Sequence, residues 1–182
     1  MILTELIKPH SGHHMHQNIV LEAYKAIYFF IPKVACTSIK KVISDILELP
    51  PYDPSRPDSY IHRRNFPYIR KDRIHSQCRA YFKFCFVRNP YDRIVSCYSN
   101  KISPDKNRNN EWFSNGVARI FKRYKGLFWG GMHFDDFLTS VAEIDDDRAD
   151  PHFRSQWMTT MDRKNNFLPD RKSTRLNSSH YS

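Results

Sequence analysis

Residues 26–40 contain the side chains best suited to hold an anion. An apolar run that ends at Pro32 predicts a buried strand, and the pair Thr37-Ser38 marks the start of a helix. Backbone N–H groups in the first turn of a helix lack intrahelical partners and carry partial positive charge, so they favour a bound phosphate or sulfate. Lys33 adds a full charge on a flexible stem. The segment therefore predicts an anion-binding loop between a strand and a helix.

This loop differs from the common nucleotide loop G-x-x-x-x-G-K-[ST], because residues 32–38, Pro-Lys-Val-Ala-Cys-Thr-Ser, contain no glycine. It resembles instead the 5′-phosphosulfate loop of the membrane-family carbohydrate sulfotransferases and their bacterial relatives. Those enzymes use 3′-phosphoadenosine 5′-phosphosulfate (PAPS). The alternative is an ordinary strand-to-helix turn with a surface lysine. The resemblance implies that the cofactor's 5′ end is held by Lys33, Val34, Ala35, Cys36, Thr37 and Ser38.

Residues 81–98 form a second apolar run that enters a helix. Asn89 is suited to cap that helix and Pro90 to occupy its first position. The string Arg-Asn-Pro-Tyr-Asp-Arg-Ile-Val-Ser-Cys-Tyr resembles the 3′-phosphate motif of the same sulfotransferases, which implies that Arg88 and Ser96 hold the 3′-phosphate. The planar fork of an arginine matches phosphate oxygens. Arg93 lies three residues before Ser96 and shares its helix face. The alternative role for Arg93 is a surface ion pair with Asp92 or Asp136.

The fold class that follows is α/β, because strands alternate with helices. The resemblance implies a P-loop-like parallel sheet flanked by helices, in a single domain. The predicted strands are 26–32 and 81–87, and the predicted helices are 37–49, 90–102, 112–124 and 134–142. We expect a flexible His-rich leader over 1–18, a sulfotransferase domain over 19–170 that is incomplete at its carboxyl end, and a disordered tail of non-native appearance over 171–182.

Composition restricts the partners without selecting one. The 182 residues are 40% hydrophobic, which is enough for one core, and the formal net charge of +10 favours anionic ligands. The four cysteines show no C-x-x-C pair and no metal-finger spacing, so free thiols are expected. The chain has no run of about 20 apolar residues, the length that a transmembrane helix requires. Animal relatives are Golgi membrane proteins, whereas a bacterial-type enzyme would be cytoplasmic.

Sulfuryl transfer requires a group that accepts the acceptor's proton and a cation that stabilises the leaving oxygen. Lys33 is the predicted cation. His62, between the two phosphate motifs, is the leading candidate for the base, with His75 and His152 as alternatives. Residues 150–156 resemble the family segment D-P-H-x-x-P-Q, except that Ser155 replaces the second proline. We expect this segment to line the substrate or cofactor side of the cleft through His152, Arg154 and Gln156.

The predicted function is transfer of the sulfuryl group from PAPS to a hydroxyl or amine, with a carbohydrate or small molecule as acceptor and without a metal. A P-loop kinase is the first alternative, but its loop glycines and its acidic Mg²⁺ ligand are not evident. A basic nucleic-acid-binding module is the second, but Lys and Arg are dispersed between apolar strands and form no recognisable motif. We therefore expect no nucleic-acid partner.

Overall fold

The computed structural model describes residues 18–51, 53, 55, 58–103, 123–124 and 126–161. Its four-stranded sheet has the order β3-β1-β2-β4. The strands are β1 Asn18–Leu21, β2 Ala26–Phe29, β3 Tyr68–Ile69 and β4 Phe82–Cys85. The helices are α1 Cys36–Ile46, α2 Ile74–Gln77, α3 Pro90–Lys101, α4 Phe134–Ala142 and α5 Gln156–Thr160. Short 3₁₀ segments cover Glu22–Tyr24, Asp58–Arg63 and Lys71–Arg73.

The sheet is mixed, so the α/β class is confirmed but a fully parallel sheet is not. β2 and β4 pair in parallel, with Phe29 opposite Cys85. β1 runs antiparallel to both β2 and β3. The physical reason lies in the connection, because only residues 22–25 separate β1 from β2. A parallel pair needs a crossover of about a dozen residues or more, whereas a short turn with Lys25 at φ 48° closes an antiparallel hairpin.

β2 is one of the two inner strands, and its apolar run is buried on both faces. Tyr28 faces a cluster with Ile43 of α1 and Ile61 of the 3₁₀ segment. Ile27 and Phe29 face the opposite cluster, which contains Ile74 of α2. A third cluster joins α3 to α4 and to the segments before and after α4; its buried members are Cys97, Ile102, Phe128, Met132, Phe137, Ala149 and Phe153.

The helix after the loop does not bury all of its apolar residues. Ile43 is buried, but Val42 and Ile46 are 57% and 43% exposed. Lys40 instead lies in the interior with no exposed surface. Its Nζ is 4.4 Å from the centroid of the Phe30 ring and has no nitrogen or oxygen partner among the described residues. An ammonium group thus packs on an aromatic face in the interior, while two apolar residues of the same helix are exposed.

Element boundaries near the loop were predicted to within a few residues, and α4 has the predicted bounds. The four cysteines are free, as expected. No helix within the described ranges has the length and apolar character needed to cross a membrane. Most of the helix predicted over 112–124, the leader up to residue 17 and the tail lie outside the described residues. The division into leader, domain and tail therefore stays a prediction.

Candidate active site

The loop between β2 and α1 adopts an unusual backbone conformation without glycine. Lys33 and Ala35 have φ values of 69° and 62°, in the left-handed region that L-residues rarely adopt. Each such residue costs on the order of 1–2 kcal/mol. Left-handed residues interspersed along a loop turn successive backbone N–H groups toward a common concavity, which is an arrangement that binds anions. The strain therefore lies where the sequence predicts a phosphosulfate.

The amino end of α1 is open to a ligand. Ala35 occupies the N-cap position and provides no side-chain hydrogen bond to the helix. The first α-helical backbone bond in this region runs from Ile39 N to Ala35 O, at 3.1 Å. The N–H groups of the first turn consequently have no intrahelical acceptor. The helix dipole adds partial positive charge at the same place.

Lys33 is half-buried, and its ammonium makes no hydrogen bond or ion pair with any residue in the described part of the chain. Burial is the largest cause that lowers the pKa of Lys33, and the nearby charges of Lys101 and Arg88 lower it further. The two predicted phosphate-binding side chains lie at the same edge of the sheet. Their strands explain this, because β2 and β4 are parallel neighbours and both residues follow the carboxyl ends of those strands.

Arg88 is held by its backbone while its side chain stays exposed. The Arg88 N–H donates to Gln156 Oε1 at 2.9 Å, and Gln156 Nε2 donates to the Arg88 carbonyl at 2.8 Å. Its guanidinium contacts no acceptor in the ranges described. Next to it, Asn89 Oδ1 accepts from Tyr91 N at 2.9 Å and caps α3, as predicted. Ser96 lies on α3 and is half-buried.

Arg93 is not the surface ion-pair residue that the sequence offered as its alternative role. It is buried, and its guanidinium donates to three carbonyls: Nε to Pro32 at 2.9 Å, Nη1 to Arg154 at 2.7 Å and Nη2 to Pro151 at 2.7 Å. Pro32 immediately precedes Lys33. Arg93 therefore joins the loop between β2 and α1 to the segment 150–156. The sequence shows the helical spacing of Arg93 from Ser96. The acceptors of its hydrogen bonds are backbone carbonyls, and no sequence motif reveals them.

His62 lies beside the loop, on the 3₁₀ segment. Its Nε2 is 3.3 Å from Thr37 Oγ1, and its Nδ1 is buried with no partner among the described residues. Burial lowers the pKa of His62 to about 4, and the charge of Lys40 contributes to that shift. His75 is exposed on α2, which packs against the opposite face of the sheet. The structure thus brings His62 to the loop and leaves His75 away from it.

His152 follows Pro151, whose carbonyl Arg93 joins to that of Pro32 before Lys33. Its Nδ1 is 2.6 Å from Asp150 Oδ1, and its backbone N–H donates to the same oxygen at 3.0 Å. Both side chains are buried. Burial lowers the pKa of His152, while Asp150 opposes that shift and the charges of Lys101 and Lys33 add to it. His62 lies on the 3₁₀ segment Asp58–Arg63 and His152 lies between α4 and α5, so the two histidines belong to different parts of the fold.

The other two residues predicted to line the cleft are engaged with the backbone. Arg154 Nε donates to the Ala149 carbonyl at 3.0 Å, and the Gln156 amide holds Arg88. Ser155, where the family segment has proline, donates from its backbone N–H to Asp146 Oδ1 at 2.6 Å, a bond that proline could not make. Its hydroxyl also accepts from Met158 N at 3.4 Å and caps α5.

No group of three or more His, Cys, Asp or Glu side chains that could hold a metal ion occurs among the described residues. The site is instead composed of cations, backbone N–H groups, two histidines and one buried carboxylate. Such a set suits an anionic substrate and proton transfer.

Comparison with known proteins identifies the family. A profile of the sulfotransferase family matches residues 16–170, and the chain belongs to this family. Human carbohydrate sulfotransferase 14 is 29% identical over 146 residues, which cover 74% of this chain and 37% of that protein. Rat carbohydrate sulfotransferase 11 is 27% identical over 159 residues, covering 78% of this chain and 43% of that protein. The chain thus spans about two fifths of the length of these relatives. No solved structure matches the chain with significance.

Proposed function

We propose that this protein transfers a sulfuryl group from PAPS to a hydroxyl or amine, with a carbohydrate as the preferred acceptor class. One observation carries the proposal. Lys33 and Arg88 follow the carboxyl ends of two adjacent parallel strands, and their cationic groups have no bonding partner among the described residues. Two neighbouring cations at the carboxyl edge of a sheet suit a ligand with two anionic ends. The carbohydrate preference comes from the names of the relatives.

The donor set fits PAPS on physical grounds. The left-handed residues Lys33 and Ala35 and the uncapped amino end of α1 favour a 5′-phosphosulfate. In this proposal the backbone N–H groups of residues 34–38 and the hydroxyls of Thr37 and Ser38 bind the 5′ end. Arg88 and Ser96 bind the 3′-phosphate. When bound, PAPS supplies the sulfuryl group and a phosphate leaving group.

The side chains of this protein then have separate roles. Lys33 places a positive charge where the leaving oxygen develops negative charge. A histidine accepts the proton of the acceptor group, and His62 and His152 are the two that lie at the loop. Gln156 and Arg93 hold the backbone on which Arg88 and Lys33 are carried.

Binding of the desulfo product, adenosine 3′,5′-bisphosphate, tests the proposal without an acceptor. We expect it to raise the melting temperature and to bind with a calorimetric Kd that Arg88→Ala weakens by about 1.5–3 kcal/mol, or about 10- to 150-fold. Arg79 is the matched control, because it is exposed and precedes the same strand β4 at the opposite end. Arg79→Ala should bind like wild type. Stabilisation by ATP with Mg²⁺ or by an oligonucleotide, but not by the bisphosphate, would support the kinase or the nucleic-acid alternative instead.

Transfer is then measured with ³⁵S-labelled PAPS and a panel of unsulfated acceptors, for example N-acetyllactosamine, cellobiose and unsulfated chondroitin. Lys33→Ala should abolish label transfer while it weakens bisphosphate binding less than Arg88→Ala does. Full transfer by the Lys33 variant would contradict the role of that residue.

A further inference from the structure

Two histidines lie near the loop, and the bonds that they make distinguish them. His62 uses Nε2 to contact Thr37 Oγ1, and its other ring nitrogen is buried without a described partner. Neither nitrogen is both free and accessible to an incoming acceptor. His62 is placed to orient the Thr37 hydroxyl of the phosphosulfate loop. A proton acceptor must reach the proton that it removes, so this geometry disfavours His62 for that role.

His152 has the complementary arrangement. Its Nδ1 contacts the buried carboxylate of Asp150 at 2.6 Å, and Nε2 has no hydrogen-bond partner in the described part of the chain. Nε2 is also not fully buried, because the fully buried polar atoms without a partner do not include it. A carboxylate at Nδ1 fixes the proton there, so the lone pair of the neutral ring lies on Nε2. It also stabilises the imidazolium that forms when Nε2 takes a proton.

The position of this pair is fixed relative to the loop. Asp150 Oδ1 accepts from the His152 backbone N–H as well as from the ring, which ties the side chains to the local turn. Arg93 then binds the carbonyls of Pro151 and Pro32 with one guanidinium group. The turn that carries His152 is therefore joined through a single side chain to the residue before Lys33.

We infer that His152 is the proton acceptor of the proposed sulfuryl transfer and that Asp150 is the residue that positions it; this inference depends on the proposed function. His152 Nε2 takes the proton of the acceptor hydroxyl while the hydroxyl oxygen forms its bond to sulfur. The bond between sulfur and the phosphate oxygen breaks, and its electron pair stays on that oxygen. The proton ends on the imidazole, whose charge is balanced by Asp150.

The first test reads the tautomer and needs no acceptor. In ¹⁵N NMR spectra of the whole chain, neutral His152 should carry its proton on Nδ1. Asp150→Asn, which keeps the shape of the side chain but removes its charge, should shift the ring toward a mixture of tautomers. Signals of His75, exposed on the opposite face of the sheet, should not change. A proton on Nε2 of His152 in the wild-type protein would overturn the inference.

The second test separates this inference from the proposed function. His152→Gln and Asp150→Asn should bind adenosine 3′,5′-bisphosphate with the wild-type Kd, while transfer of ³⁵S label falls about 100-fold or more for His152→Gln. His75→Gln should transfer at the wild-type rate. Failure of the wild-type protein to bind the bisphosphate would reject the proposed function itself. Bisphosphate binding together with more than a tenth of wild-type transfer in His152→Gln would reject only the role of His152.

A pH profile adds a readout that a purely structural role would not change. The charged or titratable groups around His152 are Asp150, Lys33, Lys101 and His62. Because Asp150 raises the pKa of His152 against the effect of burial, its removal should lower that pKa further. The acid limb of kcat/KM should therefore move to lower pH in Asp150→Asn. An acid limb at the wild-type pH would contradict a coupling between Asp150 and the proton acceptor.

Discussion

Arg93 provides the sharpest test of how the site is held together. Its buried guanidinium donates three hydrogen bonds of 2.7–2.9 Å to the carbonyls of Pro32, Arg154 and Pro151. Hydrogen bonds to a charged group are worth about 1.5–3 kcal/mol each, but contributions that share one side chain do not add fully. Arg93→Ala leaves three acceptors without this donor, so we expect the free energy of unfolding to fall by about 4 kcal/mol. A domain of this size has only about 5–15 kcal/mol in total.

Urea unfolding followed by far-UV circular dichroism measures the loss. With a slope of about 2 kcal/mol per molar urea, the midpoint should fall by about 2 M. Arg93→Lys keeps the charge but can reach fewer of the three carbonyls, so its loss should be smaller than that of Arg93→Ala. Arg79→Ala, at an exposed position, should change stability by less than about 0.5 kcal/mol. A loss below about 1 kcal/mol for Arg93→Ala would refute the claim that this residue joins the loop to the segment 150–156.

Two further outcomes follow from buried or bridging side chains. The pKa of Lys40 is lowered from 10.5 to about 8 by burial, so the unfolded state binds more protons between those values and the stability of the fold should rise with pH across that window. Lys40→Met should remove this pH dependence and should be neutral or stabilising at pH 7. Urea unfolding at a series of pH values measures both effects. An unchanged pH dependence in this variant would contradict the lowered pKa of Lys40. Gln156→Ala should weaken adenosine 3′,5′-bisphosphate binding about five- to tenfold in calorimetry, because the Arg88 backbone loses both of its bonds to the amide, and Gln156→Glu should lie between this variant and wild type. Equal affinity in Gln156→Ala and wild type would show that the amide does not position Arg88.

The two strand–loop–helix units could be predicted from the sequence because their signals are local. A continuous apolar run predicts a strand buried on both faces, and β2 is such a strand. Asn89 and Pro90 predict the start of α3, and the side chain of Asn89 caps this helix. The positions of Lys33 and Arg88 at the ends of neighbouring strands followed from the order of these units.

β1 and the direction of its pairing were not predicted. Three apolar residues at the edge of a polar leader give too short a pattern to distinguish a strand from a loop. The antiparallel pairing depends on the turn over residues 22–25, which includes the left-handed Lys25. That turn contains no glycine, the residue that usually marks a hairpin in a sequence.

The sequence by itself determined which residues can bind anions and in which order they occur, since those properties depend on residue type and on spacing along one strand or helix. Only the tertiary structure decided that Lys40 is buried against Phe30 and that Arg93 binds backbone carbonyls. The Arg93 contacts join residues about 60 positions apart in the chain. The burial of Lys40 depends on the rotation of a helix against the sheet. Their energies come from burial and from bonds to backbone atoms, and neither leaves a pattern in the order of the amino acids.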